Sequence, residues 1–85
     1  MDLDLEGKVA IVTGGSAGIG RGIVERLVEE GAYAVIVDIN IEEAEKAAAE
    51  IGRQTLVVKM DVTKKAEVDA AVQTVLDKYG QIDIL

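Results

Sequence analysis

The chain has 85 residues, enough for one small domain, and its 16 acidic and 9 basic side chains give a net charge of −7. It contains no cysteine and no histidine, which excludes disulfides, thiolate and Ser-His-Asp catalysis, and the usual zinc sites. Because nucleic-acid binding needs clustered Lys and Arg, the acidic balance argues against such a partner. The apolar fraction of 49% predicts a packed aliphatic core.

The N-terminus and the longest uncharged stretch bear on targeting. Residues 1–6 are acidic and have no basic region followed by an apolar one, so we expect no signal peptide. The uncharged run 9–20 is too short and too rich in Gly and Ser to span a membrane. The absence of cysteine is compatible with a reducing compartment, and we expect a cytoplasmic protein without a membrane partner.

Four short apolar runs predict strands. The runs 9–12, 34–37 and 56–58 are unbroken and rich in Val, Ile and Leu, and a fourth begins at 82–85. Unbroken runs of this kind are typical of strands that are buried on both faces of a parallel sheet.

Three helices are predicted between these runs, each ending at a glycine. The first covers about 18–30, and the second begins after Asn40, with Glu43 completing a capping box. The third has Thr63 as its expected N-cap. The predicted inner faces are Ile19, Ile23 and Leu27 in the first helix, Ala44, Ala47, Ala48 and Ile51 in the second, and Val68, Val72, Val75 and Tyr79 in the third.

The order of these elements predicts an α/β fold of the form β-α-β-α-β-α-β in a single domain, 1–85. Right-handed crossovers then place helices on both faces of a parallel sheet. The doubly wound arrangement predicts the strand order 3-2-1-4.

A glycine-rich segment, TGGSAGIG at 13–20, joins the first predicted strand to the first helix. Gly14 allows a sharp turn, Gly18 removes a Cβ where a diphosphate would approach the backbone, and Gly20 allows close helix–sheet packing. The helix N-terminus offers N–H groups and a positive dipole end to an anion. The strand–turn–helix context favours dinucleotide binding, and a plain tight turn is the alternative.

Two acidic positions follow the second and third predicted strands. Asp38 lies 18 positions after Gly20, where a carboxylate is expected to bind ribose hydroxyls and to repel a 2′-phosphate, which favours NAD over NADP. Ala17 agrees, since it places no basic side chain beside the turn. The alternative is that Asp38 only begins a loop. The spacing leaves two interpretations of Asp61 and Val62 open, a ligand crevice or an Asx-type turn.

These motifs resemble the N-terminal part of a short-chain dehydrogenase/reductase, and the resemblance covers the whole chain. It implies a Rossmann-like fold and NAD as the cofactor. It further implies that Asp38 holds the adenosine ribose, that Ile39 packs on adenine, that Asp61 bonds the adenine amino group and that the Val62 backbone contacts the ring. The pyrophosphate would be wrapped by Ser16, Ala17, Gly18 and Ile19.

The family's catalytic serine and Tyr-x-x-x-Lys pair are not found in this sequence. Ser16 is the only serine and belongs to the glycine turn, while Tyr33 and Tyr79 are followed four positions later by Val37 and Asp83. We therefore expect no catalysis by this chain alone, although a parent enzyme would transfer hydride between NAD and an alcohol or carbonyl. No metal site is expected.

Three functional hypotheses remain open at this point. The chain is the cofactor-binding part of a dehydrogenase, a minimal or engineered dinucleotide-binding module, or a folding and assembly fragment without a ligand. An unpaired fourth-strand edge and uncovered helix faces predict a homodimer or a higher oligomer.

Overall fold

The structure, a computed structural model, describes residues 5–14, 17–52 and 54–84. Strands and helices alternate along the chain, as the apolar runs predict. They are β1 (Val9–Thr13), α1 (Gly18–Glu29), β2 (Tyr33–Asp38), α2 (Ile41–Ile51), β3 (Thr55–Lys59) and α3 (Lys65–Tyr79). Among the described helices, none is long and apolar enough to cross a membrane.

The three strands form a parallel sheet in the order β1-β2-β3. The central strand β2 pairs on both sides, with Ala34 opposite Ala10 of β1 and Thr55 of β3. Residues 34–37 are all buried, which explains why this strand is a continuous apolar run in the sequence.

The predicted four-stranded order 3-2-1-4 is wrong in its fourth strand, because the described sheet contains only β1-β2-β3, which is 3-2-1 counted from the other edge. Within the described residues the sheet has three strands, and Ile84 makes only an isolated parallel bridge to Ala10. The backbone N–H of Val9 donates to the Asp83 carboxylate at 2.9 Å, so a side chain occupies the position that a backbone carbonyl takes in a continuous ladder. Leu85, the last residue of the predicted strand, lies outside the described residues.

Helices cover both faces of the sheet, as the crossover rule predicts. Successive residues of β2 point to opposite faces. Val35 and Val37 therefore pack in one core cluster with Val75 of α3, whereas Ala34 and Ile36 pack in another with α1 and α2. The second cluster is completed by Val24, Ala44 and Ala47.

The predicted inner face of α1 is wrong. Ile19 is 86% exposed and Ile23 is 48% exposed, whereas Val24 is fully buried and Val28 packs beside it. The two stripes are neighbours on the helix surface, because successive residues are separated by about 100°. The stripe that contains Val24 and Val28 packs on the sheet, and its valines are smaller than isoleucine. The stripe that contains Ile19 and Ile23 remains outside the core.

The helix termini agree with the sequence in part. The Asn40 side chain accepts a hydrogen bond from the Glu43 N–H at 3.2 Å, which confirms the predicted cap of α2. The predicted Thr63 cap of α3 is wrong: Lys64 occupies the N-cap, without a side-chain cap bond. Thr63 instead donates its hydroxyl to Asp61 at 2.6 Å.

Candidate functional site

A cleft of about 350 Å³ opens at the carboxyl ends of the strands. Chain segments that are far apart in sequence meet there, because parallel strands end at the same edge of a sheet. Five of the residues singled out from the sequence line it together: Gly14, Asp38, Ile39, Asp61 and Val62. The other lining residues are Thr13, Val37 and Met60.

The glycine turn enters the cleft with a left-handed backbone. Gly14 has a φ of +66° and donates its N–H to the carbonyl of Val37 at 2.8 Å, which ties the turn to β2. Gly18 also has a positive φ, +59°, and a Cβ added there would meet open space. Glycine is therefore favoured at both positions by backbone conformation, whatever ligand approaches. Ser16, which the family resemblance places against the pyrophosphate, lies outside the described residues.

Helix α1 begins at this turn without a side-chain cap. Its N-cap residue, Ala17, is extended and has no side-chain cap bond, and the first turn carries no acidic residue. The predicted site residues Ile19 and Gly20 lie in this first turn. The positive end of the helix dipole is thus not neutralised by a described side chain, which is the arrangement that favours an anion.

Asp38 ends β2 and turns the chain into α2. One of its carboxylate oxygens accepts the Asn40 N–H at 3.1 Å, and Asn40 in turn caps α2. The residue therefore begins a loop and also lines the cleft. Because the turn fixes the side chain, the carboxylate is already oriented before any ligand arrives.

Asp61 makes the Asx-type turn that the spacing allowed. Its Oδ1 accepts the Thr63 hydroxyl at 2.6 Å and the Thr63 N–H at 2.9 Å. The hydroxyl bond, followed by the backbone bond, lowers the pKa of the Asp61 carboxyl, which is ionised at neutral pH. A carboxylate has about four lone-pair sites, so the turn leaves it able to accept a further donor.

The rim and floor of the cleft are apolar. Ile39 and Val62 are each 61% exposed at the rim, and buried Val37 and Met60 form the floor. Sequence reasoning did not single out Met60 as a site residue. The available signal was its position between β3 and Asp61, where a buried side chain anchors the start of the loop.

Other features of the described residues do not compete with this cleft. No group of three or more acidic side chains among them could hold a metal ion. A larger depression, of about 680 Å³, lies at the opposite edge of the sheet and contains none of the predicted site residues.

The parallel sheet, the helices on both faces and the glycine turn at the carboxyl edge define an α/β protein of the Rossmann type. The chain belongs to the short chain dehydrogenase family, whose sequence profile matches residues 8–85.

Individual relatives resemble the chain closely over part of their own length. It is 48% identical to a sorbitol dehydrogenase of Cereibacter sphaeroides, covering 95% of this chain and 32% of that protein. It is 46% identical to a galactitol 2-dehydrogenase of Agrobacterium fabrum (strain C58 / ATCC 33970), with the same coverage of 95% and 32%. The chain thus spans about a third of the length of these relatives.

A solved structure extends the likeness to three dimensions. The 3-ketoacyl-(acyl-carrier-protein) reductase from Brucella melitensis, in a crystal structure complexed with NADH, matches with a TM-score of 0.90 at 47% identity. The match covers 94% of this chain and 34% of the reductase chain.

Proposed function

We propose that this chain binds NAD in the cleft at the carboxyl edge of its sheet, as the cofactor-binding part of a short-chain dehydrogenase. One observation carries the proposal: Gly14, Asp38 and Asp61 converge on a single cleft at the turn that leads into the N-terminus of α1. The 47% identity to a reductase whose structure contains NADH supports it.

Each part of the ADP half of the dinucleotide has a matching surface in this proposal. The pyrophosphate lies at the start of α1, against Ser16, Ala17, Gly18 and Ile19, where backbone N–H groups and the helix dipole favour an anion. The Asp38 carboxylate accepts the hydroxyls of the adenosine ribose. Adenine lies between the apolar side chain of Ile39 and the Val62 backbone, and its amino group donates to Asp61.

The charges around the cleft favour NAD over NADP. Asp38 and Asp61 both line it, and a ribose 2′-phosphate would bring two further negative charges beside Asp38. Ala17, at the N-cap of α1, supplies no cation to compensate for them. Like charges side by side disfavour binding, so the proposed preference follows from repulsion of NADP as much as from attraction of NAD.

We propose hydride transfer between NAD and an alcohol or carbonyl as the activity of the whole protein. The 85 residues form one cofactor-binding domain in this proposal. Because the sequence contains no Tyr-x-x-x-Lys pair, the chain by itself should show no turnover with alcohols and NAD.

Calorimetric titration with NAD, paired with NADP, tests the proposal directly. We expect NAD to bind weakly. NADP should bind at least about tenfold more weakly, which is a difference of about 1.4 kcal/mol in binding free energy. Equal binding of both would contradict the role of Asp38. No heat with either ligand, from a sample that circular dichroism shows to be folded, would favour the ligand-free assembly hypothesis.

We also propose that the chain self-associates. Ile19 and Ile23 of α1 are exposed, and with Leu27 and Ile84 they line one apolar depression beside β1. Burial of such a surface against a second copy is favourable because it removes apolar area from water. Sedimentation velocity at micromolar concentration should detect a dimer or a larger species that Ile23→Glu weakens, and a clean wild-type monomer would contradict this.

A further inference from the structure

The loop that carries Asp61 is held by hydrogen bonds on both sides of its backbone. Thr63 binds the Asp61 carboxylate, as described above, and the Asp61 N–H donates to Oε1 of Glu67 at 3.1 Å. The Asp61 carbonyl accepts the N–H of Lys64 at 3.0 Å. The loop residue therefore has its N–H, its carbonyl and its carboxylate all engaged.

Glu67 occupies an unusual role for its place in the helix. It is the third residue of α3, the position from which a capping-box glutamate reaches back to the N–H of the N-cap residue. Here the glutamate reaches three residues further back, past Lys64 to Asp61. The bond joins the start of α3 to the edge of the cleft, which a local helix cap would not do.

Nothing else among the described contacts fixes the outer part of this loop. Met60 is buried and anchors the chain before Asp61, but Val62 is largely exposed and contributes little packing to hold its own position. The direction of the Asp61 carboxylate and of the Val62 backbone therefore depends on the hydrogen bonds around Asp61.

We propose that Glu67 is a positioning residue for adenine recognition: it holds the backbone of Asp61, and through it the carboxylate and the Val62 backbone, in the geometry that adenine needs. It does not touch the cofactor. The inference rests on the proposed function, because it names the residue that sets base specificity at the same site.

A dinucleotide with an altered base isolates this role. In nicotinamide hypoxanthine dinucleotide an oxygen replaces the amino group that donates to Asp61 and the neighbouring ring nitrogen N1 carries a hydrogen, while the sugars, the pyrophosphate and the nicotinamide are unchanged. We expect the wild-type chain to bind NAD about tenfold more tightly than this analogue, the value of one hydrogen bond to a charged acceptor. Glu67→Ala should reduce that ratio to about twofold or less, mainly by weakening NAD binding.

Two further variants separate positioning from general effects. Glu67→Gln retains an acceptor oxygen for the Asp61 N–H and should keep most of the discrimination. Asp69→Ala is the matched control, since it removes a carboxylate and an ion pair with Lys65 from the same helix without touching Asp61. It should leave the ratio unchanged. Amide hydrogen exchange at Asp61 should accelerate in Glu67→Ala and remain at the wild-type rate in Asp69→Ala.

The outcomes distinguish this proposal from the one it rests on. If Glu67→Ala kept the wild-type ratio of NAD to analogue affinity, the role of Glu67 would be overturned and the proposal of NAD binding would stand. If amide exchange at Asp61 became faster in Glu67→Ala but the ratio of NAD to analogue affinity did not change, the bond would only stabilise the loop. That outcome would also overturn the proposed role of Glu67. A folded wild-type chain that binds neither dinucleotide would overturn the proposed function, and the role of Glu67 in recognition with it.

Discussion

At the scale of single residues, this cleft is built from short-range turns that orient charged groups in advance. Asp38 is held by Asn40, and Asp61 is held by Thr63, each two residues further along the chain. Gly14 and Gly18 contribute through the backbone, because they adopt left-handed conformations that other residues adopt only at a cost. The site therefore depends on geometry that substitution can change one residue at a time.

The charge of Asp38 can be removed with little change of shape. Asn in its place retains a side-chain oxygen for the Asn40 N–H but no longer repels a phosphate. We expect Asp38→Asn to lower the NAD-to-NADP affinity ratio by about tenfold, or about 1.4 kcal/mol. Paired calorimetric titrations measure this ratio, with Asp77→Asn on the exposed face of α3 as the charge control. An unchanged ratio would contradict the assignment of the ribose to Asp38.

Two glycines should respond to the same substitution with opposite signs. Gly14→Ala places a Cβ on a residue with φ of +66°, and we expect it to lower the free energy of unfolding by about 1 kcal/mol. Gly22 lies inside α1, and a Cβ there would meet open space. Gly22→Ala should therefore raise the free energy of unfolding by about 0.5–1 kcal/mol through helix propensity. Urea unfolding of both variants tests the pair, and a gain in stability from Gly14→Ala would contradict the left-handed turn.

At the scale of elements, the orientation of a helix is decided by the surface on which it packs. The sequence of α1 contains two apolar stripes, and its periodicity alone does not choose between them. The sheet face with Ala34 and Ile36 takes the stripe that contains Val24 and Val28. The small residues Ala34, Ala44 and Ala47 on this side of the sheet allow the helices to approach it closely.

Truncation of one residue from each stripe tests this orientation. Val24→Ala should lower the free energy of unfolding by about 2 kcal/mol, because it opens a cavity in a buried cluster. Ile19→Ala removes a larger side chain but should cost less than about 0.5 kcal/mol, since that side chain is exposed. Urea denaturation of both variants gives the comparison. A larger loss from Ile19→Ala than from Val24→Ala would indicate the other orientation of α1.

At the scale of the whole molecule, contacts between the two ends of the chain complete the edge of the sheet. Asp83 accepts the N–H of Val9, and Gln81 donates to the same carboxylate oxygen of Asp83 at 2.7 Å. The Asp83 and Ile84 N–H groups donate to the carbonyl of Val9, which adds backbone bonds to the contact. One carboxylate thus joins segments that are 74 positions apart in the sequence.

The stability contributed by Asp83 should depend on pH. The Val9 N–H, followed by the Gln81 amide, lowers the pKa of the Asp83 carboxyl below its ordinary value of 3.8. A lowered folded-state pKa means that the contribution is fully present above about 3.8 and is lost as the pH falls from there through the folded-state value. The difference in unfolding free energy between the wild type and Asp83→Asn should therefore shrink below that pH.

Urea unfolding of the wild type and of Asp83→Asn at several pH values measures this difference. A constant difference from neutral pH down to the acid range would show that the ionised carboxylate does not stabilise the contact with Val9.

The local signals of this sequence predicted much of the fold. The order of elements from β1 to α3 and the Asn40 cap depend on residues within a few positions of one another, and the structure confirms both. Five predicted site residues line one cleft, while their roles in binding stay predictions. The family could be predicted for the same reason, since its motif at 13–20, Asp38 and Asp61 occupy fixed places relative to local elements.

Only the tertiary structure decided the features that depend on distant partners. The sheet face decides which stripe of α1 is buried. Among the described residues the fourth predicted strand forms one bridge, and the Asp83 side chain binds the Val9 N–H beside it. The bond from Glu67 to Asp61 likewise required the geometry of the loop before α3. Periodicity reports which residues can be buried, but packing and long-range hydrogen bonds determine which of them are.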